Sequence, residues 1–263
     1  MKHFFALMLL VNTYTLLAQK ADTPPKTIAE ITKDCESHPG YFTFHWQAES
    51  GTLYLEIDRW DEEFLYVNSL SSGLGSNDLG LDRNQLGQDR IVKFVRSGPK
   101  VLLLQPNYNY RALSDNAEEQ AAVAQAFAQS VLWGFKVAAA DGERVLVDLT
   151  PFLLQDAHGV VKRLKQNKQG TYKVDTDRSM VNLARCRAFP QNTEFDALIT
   201  LAGQAEGAYI RSVTPTPDLV TLSMHHSFIE LPDEGYEPRV FDPRCGYFPF
   251  SYYDYATPIG EPL

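Results

Sequence analysis

From residue 41 onward, large apolar side chains alternate with polar ones at a period of two, the spacing of strands that bury one face. The alternation predicts strands at Tyr41 to Trp46, Thr52 to Ile57, Phe64 to Leu70, Arg90 to Arg96 and Val101 to Gln105. Glu49-Ser50-Gly51 and Ser97-Gly98-Pro99 fall between runs and are hairpin turn chemistry, so the first half reads as an antiparallel meander. One helix interrupts it. Asp115-x-x-Glu118 has capping-box spacing, and Ala117 to Ser130 is alanine-rich, with Val123 and Phe127 one turn apart. Val131 to Ala138 and Val145 to Leu149 flank Asp141-Gly142 as a hairpin, which Pro151 ends. A short basic helix follows His158-Gly159 and runs to Lys168. Strands resume at Thr171 to Val174, Thr193 to Leu201, Tyr209 to Val213 and Leu219 to Phe228.

Past Leu231 the chain carries Pro232, Pro238, Pro243, Pro249 and Pro258 among many aromatics, and is expected to drape irregularly over the strands. The fold class predicted is mainly β (α+β). Antiparallel strands form a sandwich or barrel-like arrangement, with one or two short helices and an irregular aromatic and proline-rich C-terminal segment. Residues 40–231 form the β-rich domain and 232–263 the irregular segment.

Ahead of this pattern, Lys2 and His3 precede an apolar run from Phe4 to Leu17, and Leu16-Leu17-Ala18 before Gln19 suits cleavage. Residues 1–18 read as an export signal and 19–39, with Pro24-Pro25, as a flexible leader. The run is broken by Asn12 and Thr13 and falls short of the roughly 20 residues of a spanning helix. No stable membrane insertion is expected, and the protein is placed in the periplasm or outside the cell. A formal charge of -9, from 24 basic and 33 acidic residues, argues against nucleic acid as a partner. The basic run Lys162-Arg163-Leu164-Lys165 with Lys168 reads as a solvated face. Three cysteines, Cys35, Cys186 and Cys245, allow one disulfide at most, and three buried thiols are the competing reading.

The candidate chemistry is sparse. There is no His-Glu-x-x-His helix to hold zinc and no Gly-x-Ser-x-Gly elbow to mark a nucleophile. The loop Ser72 to Gly80 is glycine-rich but lacks the Lys-Ser/Thr pair of a phosphate cradle, so it reads as structural. His225-His226 is the most tempting metal pair, yet neighbours on a strand point to opposite faces, which leaves His225 needing distant ligands. His38, His45 and His158 are scattered. Asp61-Glu62-Glu63 and Asp233-Glu234 read as solvating charge. Pro243-Arg244-Cys245-Gly246 resembles the cysteine-switch tetrapeptide of matrix metalloprotease propeptides, where a thiolate occupies the open zinc position. It continues Tyr247-Phe248-Pro249 instead of apolar-Pro-Asp. Catalytic, cofactor-binding and metal-binding residues are therefore read as none; Cys245 and His225 are the residual metal candidates beside the readings of a structural cysteine and a core or surface histidine.

Several stretches together resemble one family: Glu63 to Val67, Gly73 to Asn77, Gly80 to Arg83, Gly98 to Val101, Phe127 to Val131, Asp156 to Gly159 and the block Asp242-Pro243-Arg244-x-Gly246-Tyr247-Phe248. They are similar to the uncharacterised N-terminal domain of large secreted bacterial zinc-dependent metalloproteases, related to the metzincins. The resemblance implies a non-catalytic domain that packs in cis against a protease domain and aids its folding, latency or substrate recognition. It places zinc in that absent catalytic domain and no cofactor in this chain. Asp242, Arg244, Tyr247 and Phe248 are the expected interface, and the aromatic stretch after Ser251 reads as interrupted. The competing readings are a stand-alone exported module binding glycan, peptide or envelope protein, and an enzyme using His225 with a metal.

Overall fold

In the computed structural model, which describes residues 26–75, 77–232 and 235–261, the predicted alternation becomes one large curled sheet. Its strands are β1 (Glu36–His38), β2 (Phe44–Gln47), β3 (Thr52–Ile57), β4 (Glu63–Ser72), β5 (Leu86–Ser97), β6 (Lys100–Gln105), β8 (Ser130–Asp141), β9 (Arg144–Asp148), β10 (Gly170–Val181), β11 (Arg187–Ala188), β12 (Asn192–Ala205) and β13 (Leu219–Glu230). The short β7 (Tyr110–Arg111) and β14 (Tyr253–Asp254) pair with each other in parallel. Helices are α1 (Ile28–Thr32), α2 (Ala117–Ala126), α3 (Thr150–Leu153), α4 (Val160–Gln166) and α5 (Ala208–Val213). The twelve-stranded sheet is antiparallel in the order β1-β2-β3-β9-β8-β6-β5-β4-β13-β12-β10, with β11 beside β12. The fold is thus mainly β, as the alternation predicts.

Curling brings distant parts of the sheet together. The Tyr41 N–H donates to the Phe189 carbonyl at 2.7 Å, and the Phe42 N–H donates to Thr193 Oγ1 at 3.0 Å. Thr193 Oγ1 in turn donates to the Phe42 carbonyl at 2.9 Å. The chain entering β2 therefore closes against the start of β12. Enclosed by this curl is an aromatic core. Phe228 lies 5.2 Å from Phe64, 5.5 Å from Tyr66 and from Phe195, and 6.0 Å from Phe42, centroid to centroid. Edge-to-face and tilted packing at such distances adds to the burial of area. Phe152 enters the same interior from α3, where Pro151 occupies the first turn of the helix.

The Ser72 to Gly80 loop is tucked under this core, as far as its described residues go. Leu74, Leu79 and Leu81 are buried, and the Leu74 N–H donates to the Leu81 carbonyl at 2.7 Å. A Cβ at position 73 would lie 2.3 Å from the Leu81 oxygen, so only glycine fits there.

Several expectations need correction. The flexible leader is expected up to residue 39, but 26–39 contain α1, capped reciprocally by Thr27 and Glu30, and β1, paired with β2. Ile28 explains why: it is buried against Ala139 and Leu146, so this stretch contributes to the core. Residues 1–25, with the proposed signal, lie outside the described residues, as do Asp233 and Glu234. Tyr209 to Val213 is the helix α5 and not a strand. Buried Ile210, whose N–H donates to the Gln169 side chain at 3.1 Å, overrides the β-branched local preference. Helix α2 is capped by Asn116 and ends at Ala126. The meander is also split, because β9 and β8 insert between β3 and β6. Among the described residues no helix is long and apolar enough to cross a membrane.

Since Phe228 sits at the centre of the aromatic core, Phe228→Ala is expected to destabilise the fold by about 3–5 kcal/mol. Phe248→Ala, on the exposed segment, should stay within about 0.5 kcal/mol of wild type. Urea denaturation followed by tryptophan fluorescence measures both, and equal losses would contradict the placement of the core.

Candidate functional site

The expected interface block leaves the sheet after Glu230 and rejoins the domain at β14. There the Tyr253 N–H donates to the Asn109 carbonyl at 2.8 Å and the Tyr255 N–H to the Arg111 carbonyl at 2.7 Å. Tyr253 stacks on Tyr110, which stacks on Phe127 at 3.7 Å. Between these anchors the block closes on itself. Asp242 accepts from the Arg244 backbone N–H and Nε, both at 2.9 Å, and the Cys245 N–H donates to the Asp242 carbonyl at 2.9 Å. Hydrogen bonds from the Arg244 side chain and backbone hold the Asp242 carboxyl below its ordinary range. Gly246 takes φ +68, and the Tyr247 hydroxyl donates to the Val240 carbonyl at 3.1 Å.

Of the expected interface residues, then, Asp242 and Arg244 are bonded to each other, and Tyr247 packs edge-on against Phe241. Phe248 alone is fully presented, at 98 % exposed, with Phe250 at 97 % and Val240 at 90 % beside it in sequence. The expectation that this stretch drapes over the strands fails for these residues: the local bonds within the block leave their side chains in solvent.

The metal candidates are not brought together. Cys245 is an exposed free thiol at the turn, while Cys186 is buried and Cys35 partly so. His225 and His226 take opposite faces of β13, as the period requires. His226 is buried in the aromatic core, its Nδ1 2.9 Å from the Tyr66 hydroxyl, and burial pushes it down to about 3. His225 lies on the other face between two carboxylates. Its Nε2 is 2.7 Å from Glu194 and its Nδ1 3.5 Å from Asp196, itself fully buried. Ser71 and Asn182 donate to Asp196 at 2.5 and 2.9 Å, and Ser227 and Asn192 donate to Glu194 at 2.5 and 2.6 Å. Burial opposes the imidazolium, but the close approach of Asp196, the hydrogen bond to Glu194 and both carboxylate charges push His225 up to about 9. Among the described residues there is no group of three His, Cys, Asp or Glu arranged to hold a metal. Both available nitrogens of His225 are directed at carboxylates.

A cluster that the sequence reading missed sits at the inner face of β4. Alternation turns Asn68 inward between Tyr66 and Leu70, where it is almost fully buried. Arg90 Nη1 donates to Asn68 Oδ1 at 3.2 Å, and Asn68 Nδ2 is 3.2 Å from His158 Nδ1. Arginine can only donate, so the amide oxygen faces Arg90 and the amide NH2 faces His158. His158 Nδ1 must therefore accept, and its proton resides on Nε2. Gly87 leaves room for this chain of bonds, since a Cβ there would lie 2.5 Å from Asn68 Oδ1. Burial chiefly, and also the Arg163 charge, holds His158 below the ordinary imidazole range against the pull of Asp156. Arg90, His158, Lys162 and Arg163 line one cleft of about 490 Å³. The basic run read as a solvated face is in part a cleft wall. A buried asparagine on an apolar face was the available signal.

The His225 cluster generates a pH dependence. Because His225 is raised from 6.5 to about 9, its contribution to stability is complete below about pH 6.5 and lost as pH rises through about 9. Glu194 and Asp196 are held low, so their contribution is lost instead as pH falls into the acid range. The thermal midpoint should therefore decline from pH 6.5 to 9, and His225→Gln should flatten that limb. Differential scanning calorimetry in matched buffers decides it; an unchanged slope would place the dependence elsewhere.

Residues 84–262 match the family model described as domain of unknown function DUF5117, and residues 25–73 match that of domain of unknown function DUF5118. The division between them falls just after β4, yet β4 pairs with β5 and β13, and β3 with β9. Both segments thus contribute to one sheet and one core. No curated protein and no solved structure matches the chain. With most of its length under the first of these models, the chain belongs to the DUF5117 family.

Proposed function

We propose that this protein is a non-catalytic domain of an exported zinc-dependent metalloprotease system, and that it packs against the protease domain through the segment after β13. The observation that supports this reading is the row of exposed apolar side chains at Val240, Phe248 and Phe250, carried on a segment that holds its own shape by the Asp242–Arg244 pairing. Large exposed aromatics contribute most when a partner desolvates them, and a pre-shaped segment loses less entropy on docking. The sequence resemblance supplies the identity of the partner. In this reading the chain supports folding, latency or substrate recognition, and zinc belongs to the partner domain.

A second reading, a stand-alone exported binding module for glycan or peptide, draws on a cavity of about 420 Å³ lined by Tyr108, Arg111, Phe250 and Tyr252. The Arg111 guanidinium lies 4.3 Å from the Tyr252 ring centroid and 5.4 Å from that of Tyr108. Aromatic faces beside a guanidinium suit sugar rings and peptide carboxylates alike.

Sedimentation velocity with the cognate zinc-protease domain supplied in trans tests the first reading. A complex should form, and Phe248→Asp with Phe250→Asp should weaken it by about tenfold or more while leaving the domain folded. No complex, or one indifferent to both changes, would sink it. For the second reading, oligosaccharides or peptides should raise the thermal midpoint of the isolated chain, and the rise should vanish in Arg111→Gln with Tyr252→Ala. Absence of any such rise would remove it.

A further inference from the structure

The cleft between the start of β5 and α4 has a charge balance opposite to that of the whole chain. Arg90, Lys162 and Arg163 bring three permanent cations to its wall. Asp156 is the carboxylate among its lining residues, and both of its oxygens accept backbone N–H groups, from Val160 and Val161 at 2.8 Å each. No carboxylate forms an ion pair with Arg90, Lys162 or Arg163 among the described residues. Arg90 bonds Asn68 and Gln88, and Arg163 reaches the Leu79 carbonyl at 3.4 Å. In a protein of net charge -9, these three cations make the cleft locally positive.

The neutral donor is set as deliberately as the charges. Buried Asn68, bonded to Arg90 on one side and to His158 on the other, fixes the His158 proton on Nε2. Gly87 is required for that geometry. The cleft thus combines three cations, one oriented N–H donor and one carboxylate already engaged by backbone.

We propose that this cleft binds a phosphate-type dianion, and that its natural ligand is a phosphate or sulfate ester. The excess of two positive charges over Asp156 matches a dianion, and guanidinium forks suit tetrahedral oxyanions. A cavity of about 490 Å³ exceeds what one inorganic anion fills, which leaves room for the organic part of an ester. Arg90 also borders the cavity lined by Phe250 and Tyr252, whereas His158, Lys162 and Arg163 do not, so a change at Lys162 tests this cleft separately from protease docking.

The test is isothermal titration and thermal shift with inorganic phosphate, sulfate and glycerol phosphate, each against chloride at equal ionic strength. Saturable binding of phosphate and tighter binding of glycerol phosphate are expected. Lys162→Glu, at an exposed position, should weaken binding by about tenfold or more, while Lys100→Glu, the same charge change on the β5–β6 hairpin, should leave it intact. As a readout at the site itself, the His158 ring resonances should shift on phosphate addition in the wild-type protein. Absence of saturable binding, equal weakening by the two variants, or a preference for citrate over every phosphate and sulfate would each overturn the assignment.

Discussion

Strand β13 is hydrogen-bonded to β4 on one side and to β12 on the other, so Phe228 is locked opposite Tyr66 and Thr193 in register. The pairing with β4 spans more than half of the chain, and the ordering entropy of that closure must be met by burial. The aromatic core answers it. Phe42, Phe64, Phe94, Phe152, Phe195 and Phe228 come from six separate stretches, and only the curled sheet puts them on one concave side. Because β4 comes from the segment matched by one family model and β13 from that matched by the other, neither segment encloses this core alone.

The same register distributes polar groups to two sides. On the outer face it sets His225 opposite Asp196, and the carboxylate is fully buried because hydroxyl and amide donors surround it. A buried charge of this kind is tolerated when paired and costly when a partner is lost. On the inner side Asn68 interrupts the apolar row of β4 and carries the hydrogen-bond chain from Arg90 to His158. Both networks use residues far apart in sequence, and both follow from the offset between strands.

The C-terminal segment obeys different physics. Its shape comes from contacts two to seven residues apart, the Asp242–Arg244 pair and the Tyr247–Val240 hydrogen bond, and it is tied down at β14 by stacking on Tyr110. Such local bonding leaves its apolar side chains unburied and outside the core. The cleft beside α4 is the converse case, formed by long-range packing and lined with charge.

Much of the fold was legible in the alternation itself. The period of two identified β3, β4 and β6 nearly to the residue and required His225 and His226 to separate, because side-chain direction in a strand is a local property. Helix α5 and the leader stretch from residue 26 escaped it, since Ile210 and Ile28 owe their conformation to partners distant in sequence. The sequence by itself determined which residues face inward on each strand and that a proline-rich aromatic tail would be irregular. Tertiary structure alone decided which strands became neighbours and that His158 would meet Arg90 through Asn68. Strand order and register are set by the joint burial of residues from the whole chain, and no local pattern carries that information.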